Sequence, residues 1–168
     1  MILNTLEKEK CWCFLYHHDN QEEWSLPRGF AHELEKGGIN VKRLEFNDPK
    51  DFKLPNKKFL ITNNISVLLI FYAGSSSNLD YQLPLFKKKF PDVIIINELG
   101  DEPQTQKYNM IRVQNSHISL SPDYESVLYW KDKGFNCHWF THWADEKIFY
   151  NTKKTKREIL IGTTMGRR

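Results

Sequence analysis

Cysteine is scarce in this sequence and odd in number: three in 168 residues. A disulfide framework needs pairs, so free thiols in a reducing, cytoplasmic setting are expected. Long apolar runs are missing as well. The most apolar stretch, "ISVLLIFYAG", is too short to cross a bilayer. The opening "MILNTLEKEK" lacks the apolar core of a secretory leader. Strong charge of one sign is absent, with a net +3 from 24 basic and 21 acidic residues. That balance gives no electrostatic case for a nucleic-acid partner. The basic clusters Lys87-Lys88-Lys89 and Lys153, Lys154, Lys156, Arg157 read as a solvated helix face and a solvated linker. No aromatic RNA-recognition signature occurs. No glycine spacing matches a P-loop or a dinucleotide fingerprint, so neither ATP nor NAD is indicated and no cofactor is expected.

What is present suits one folded domain with a little chain left over. Hydrophobic residues make up 40% and aromatics 14%, enough to fill a core. β-Branched and aromatic runs recur at spacings that leave room for helices. Strands are expected at 11–17, 39–46, 66–74, 92–97, 117–121 and 136–143. Helices are expected at 25–38, 79–90, 102–116 and 121–135. The alternating pattern of 39–46 suits a strand near a sheet edge, whereas "SVLLIFYAG" suits one covered on both faces. Ser121 and Asp101 are the expected caps of the last two helices. The segment 48–65 should hold a short helix that the pattern does not place. Such alternation predicts an α/β fold: a Rossmann-like, mostly parallel sheet with helices on both faces.

In that architecture ligands sit outside the carboxyl ends of the strands. The residues there are the candidates. Glu98 follows an apolar strand and precedes the next helix, so it is a candidate general base. His17 and His18 follow the first strand and can serve as bases near neutral pH, or simply as surface or structural histidines. The loop "AGSSSN" offers backbone N–H groups and the hydroxyls of Ser75 and Ser76 to an anion or a sugar hydroxyl, or else a helix cap. Asp101 and Glu102 either bind hydroxyls or serve the start of the following helix. Trp24 and Trp143, at element ends, are the aromatics best placed for stacking. Cys11, Cys13, Cys137, His138 and His142 would make a metal set only if the first and last strands met. Their spacings match no common zinc motif, and no metal is expected.

The phrases "INELGDEPQTQKYN", "LSPDYESVLYWKDKGFNCHWFTHWADEKIFY" and "ILIGTTMGRR" resemble GT-B glycosyltransferases of the spore-maturation, family 4-like kind. The resemblance covers roughly 92–168 and is weak over 1–65. It implies that residues 1–151 form a Rossmann-like acceptor-side domain. Residues 152–168 would then be a linker with the first strand and loop of a C-terminal donor-binding domain. It further implies that Gly74, Ser75, Ser76, Asp101 and Glu102 line the acceptor side of a cleft. Gly162, Gly166, Arg167 and Arg168 would approach the donor diphosphate, and Asp145 and Phe149 would belong to the hinge. The implied partners are a nucleotide-sugar donor, a glycan or other hydroxyl acceptor, and either a C-terminal domain or a second copy meeting 158–168. The alternative is a stand-alone module of the same fold that binds a glycan, nucleotide or protein without catalysis. A receiver-like protein would want an acidic cluster after the first strand, where only Asp19 occurs.

Overall fold

The computed structural model describes residues 11–17, 26–72, 77–100 and 102–141. Six strands form one sheet: β1 (Cys11–His17), β2 (Asn40–Phe46), β3 (Ile65–Phe71), β4 (Ile94–Glu98), β5 (Ile118–Ser121) and β6 (Cys137–Trp139). Their spatial order is β2-β1-β3-β4-β5-β6, and every neighbouring pair is parallel. Five helices connect them: α1 (Leu26–Lys36), α2 (Lys57–Thr62), α3 (Ser77–Lys89), α4 (Gln106–Asn115) and α5 (Tyr124–Asp132). The chain is therefore α/β with a Rossmann-like, doubly wound layout. Among the described residues no helix is long and apolar enough to cross a membrane.

Strand parity divides the core. Cys11, Cys13 and Leu15 of β1 join Leu68, Ile70 and Ile95 in one cluster, which is covered by Leu60 of α2 and by Leu79, Leu83 and Phe86 of α3. Trp12, Phe14 and Tyr16 point the other way. They pack with Val67, Leu69, Phe71 and Ile96 beneath Phe30, Ala31 and Leu34 of α1. A third cluster joins Val113 of α4 and Val127 and Trp130 of α5 to Leu99 and Cys137. Burial of such side chains stabilises by roughly 1.5–3 kcal/mol each, which is why the apolar runs end up as the inner strands. β2, with its alternating pattern, lies at an edge.

The termini of several elements depart from the sequence expectation. α4 begins only at Gln106, after a turn over 102–105 that contains a cis Glu102–Pro103 bond. Asp101 is thus not its N-cap, which is Thr105. The N-cap of α5 is Asp123, whose carboxylate accepts from the Ser126 N–H, while Ser121 closes β5. The segment 48–65 resolves into a 3-10 turn (Pro49–Asp51) followed by α2. Its position is set by α3: Asn78 donates to the carbonyls of Lys50 and Phe52, and Gln82 bonds Phe52 and Leu54.

Candidate functional site

In a parallel sheet, residues paired in register share a face. One row near the carboxyl ends runs Glu45, Tyr16, Phe71, Glu98, Leu120 and His138 on the face of α1. The next row runs Leu15, Ile70, Asn97, Ser119 and Cys137 on the face of α2 and α3. Glu98 is the last residue of β4 rather than the first of a loop, and it is fully buried between Phe71 and Leu120 in that row. At the same end, the Tyr16 hydroxyl donates to Glu45, and Arg28 at the start of α1 donates to the other Glu45 oxygen at 3.0 Å. Burial, and then the Glu45 carboxylate, push the Tyr16 hydroxyl up from its ordinary value.

His17 lies on the opposite face. Its Nε2 sits 2.9 Å from the Asn47 carbonyl, and its ring meets Tyr72 edge-on at 5.6 Å. β1 and β4 are separated by β3. Glu98 and His17 therefore occupy the same rim of the sheet but different sides of it.

Glu102 is deeply buried and accepts from three sides: Asn109 Nδ2 at 3.0 Å, Trp130 Nε1 at 3.0 Å from both carboxylate oxygens, and Ser121 Oγ at 3.2 Å. Burial raises its pKa, and these donors oppose the rise. The carboxylate consequently ties together the loop after β4, the end of β5, and helices α4 and α5. Of the other expected site residues, His18, Gly74, Ser75, Ser76, Asp101, Gly162, Gly166, Arg167 and Arg168 lie outside the described residues, as do Trp24 and Trp143.

No family model matches the chain, and no curated protein or solved structure matches it. Its chemistry has to be read from the rim itself.

Arg112 escaped the sequence reading. It is fully buried on α4, donating from Nε to Asp80 and from Nη1 to the Tyr72 carbonyl, each at 3.0 Å. Asn109, one turn earlier, is buried too. The available signal was the weak apolar content of "QKYNMIRVQN", whose polar residues at i and i+3 share a face. Cys11 and Cys13 of β1 do not meet Cys137 and His138 of β6, because β3, β4 and β5 lie between the two strands, and His142 lies outside the described residues. Among the described residues no cluster of His, Cys, Asp or Glu suits a metal ion. Burial also raises all three thiols, Cys13 and Cys137 to about 12. Thiolate chemistry near neutral pH is therefore unsupported.

Proposed function

We propose that this domain is the acceptor side of a GT-B glycosyltransferase, which moves a sugar from a nucleotide-sugar donor to an acceptor hydroxyl. One observation carries the reading: a fully buried carboxylate, Glu98, closes an inner strand at the carboxyl rim of an all-parallel sheet. That rim is where doubly wound folds bind ligands. A carboxylate at that rim can take the proton of an attacking hydroxyl once the groups that bury it give way to the acceptor. Negative charge then develops on the departing diphosphate. Cationic and N–H groups of a donor-binding domain would stabilise it, a role that falls to Gly162, Gly166, Arg167 and Arg168 in the resemblance.

The test pairs binding with turnover. The chain, alone and joined to a donor-binding α/β domain encoded in frame with it or beside it, is screened with uridine- and guanosine-diphosphate sugars and with oligosaccharide acceptors. Transfer by the joined form, and its loss in Glu98→Gln with the melting temperature retained, is the expected result. Transfer that survives Glu98→Gln removes Glu98 from the chemistry. Acceptor binding with no transfer in any form favours the non-catalytic module instead.

A further inference from the structure

Residues 54–56 run beside α3 and leave an open groove of about 220 Å³ against it. Of the residues lining it, Pro55 and Phe86 are buried, Leu54 and Phe90 are half-buried, and Leu85 is 54% exposed. Tyr81, one turn before Leu85, is 73% exposed. The amides in the lining are already committed: Asn56 caps α2, and Gln82 bonds Leu54, Phe52 and Asn78. α3 ends at Lys89 and β4 begins at Ile94, so the groove lies toward the amino edge of the sheet, away from the carboxyl rim. Its charge is one-sided. The two stretches that build it, 53–62 and 81–90, hold six lysines and no aspartate or glutamate, although the whole chain carries only +3. Lys87 donates to the Gln114 carbonyl at 3.3 Å, and Lys89 lies over the Phe90 ring. Lys53, Lys57, Lys58 and Lys88 are exposed and pair with no carboxylate among the described residues. The helix dipole favours the lysines that close α3 but opposes Lys57 and Lys58, which open α2. Local helix electrostatics therefore leave part of this charge unexplained.

We propose that this groove docks an acidic segment of a partner protein, which seats a leucine or aromatic side chain against Leu54, Leu85 and Phe90 while its carboxylates meet the surrounding lysines. The volume is below the roughly 300–1,000 Å³ usual for small-molecule sites, and it suits one or two anchoring side chains. An apolar anchor supplies most of the affinity of such a contact, and complementary charge around it selects the partner's sign. A nucleic acid would use the lysines and leave the apolar lining unfilled. A bilayer would want a broad apolar face, whereas here the apolar lining is recessed among lysines. The groove lies on the α2 and α3 side of the sheet and Glu98 on the α1 side, so docking here is independent of the transferase reading.

The test selects random short peptides on the intact chain at low salt, then titrates the winners by fluorescence anisotropy and maps them by amide chemical shifts. The expected winners combine aspartate or glutamate with leucine, phenylalanine or tryptophan, and they shift amides of 53–62 and 81–90. Leu85 is exposed and alanine is a good helix former, so Leu85→Ala should keep the fold and weaken binding about tenfold. Lys57→Gln combined with Lys58→Gln should weaken it roughly threefold and flatten its salt dependence. No winners, winners without acidic residues, or winners that map to the carboxyl rim overturn the proposal. So does unchanged binding by Leu85→Ala, or equal binding of polyglutamate, which would mean that charge alone is read. Tighter binding of phosphatidylserine vesicles, of a single-stranded oligonucleotide or of a second copy of the chain through the same residues would replace the occupant and overturn it as well.

Discussion

Trp130→Phe isolates the buried Glu102 carboxylate. The indole is fully buried, and its Nε1 donates to both Glu102 oxygens at 3.0 Å. Phenylalanine keeps an aromatic ring beside Phe135 and Tyr129 but has no donor. A hydrogen bond to a charged partner contributes about 1.5–3 kcal/mol. The smaller ring adds a cavity cost on the order of 1 kcal/mol. The expected penalty at neutral pH is therefore about 2.5–4 kcal/mol, a large share of the 5–15 kcal/mol typical of a domain. The sign with pH follows from the raised pKa. A carboxyl whose folded value lies above its ordinary 4.5 contributes most below that value and loses the contribution as pH rises through the folded value. Removing a donor raises the folded value further, so the variant's penalty should grow with pH. Urea unfolding followed by far-ultraviolet circular dichroism, below pH 4.5 and at neutral pH, measures both ends. An equal penalty at the two pH values would mean that only the cavity matters, and a neutral-pH penalty below about 1 kcal/mol would refute the role given to Glu102.

Gly134, just past α5, has φ +83, and an added Cβ would meet nothing within 4 Å. Gly134→Ala should therefore cost only backbone strain, about 1–2 kcal/mol by thermal denaturation, and no cost would place that conformation in doubt. Cys11, Cys13 and Cys137 should resist a thiol-reactive dye in the native protein and react together once it is unfolded in urea. A thiol that reacts fast before unfolding would contradict the burial of its strand.

The strands were legible because continuous runs such as "SVLLIFYAG" bury both faces, and the edge position of β2 showed in its alternation. The rim was less legible because tertiary partners override local signals there. Ser121 has the chemistry of a helix cap, yet it ends a strand, and its hydroxyl reaches Glu102. Glu98 and Glu102 look alike in sequence. Only the approach of Asn109, and of Ser121 and Trp130 from 19 and 28 residues further along, shows that Glu102 is held internally. The segment 48–65 carried little pattern of its own because amides of α3 dock it. Arg112 was hidden for the converse reason: a cation inside a helix is ordinarily solvated, and nothing local announces Asp80 and the Tyr72 carbonyl as its partners.

The sheet's outer margins bear on how this chain behaves among copies of itself. Among the described residues, β2 bounds one side and β6 the other. An outermost strand presents unpaired N–H and C=O groups, the usual template for strand-by-strand assembly. β2 carries exposed Lys42, Arg43 and Glu45, so a strand laid alongside it would have to strip water from charged side chains. β6 is only three residues long and offers too few bonds to hold a newcomer in register. The hydrophobic strands β1, β3 and β4 are interior, where their polar backbone is already committed on both flanks. Within the described residues, the two sheet margins should consequently resist fibril-like stacking.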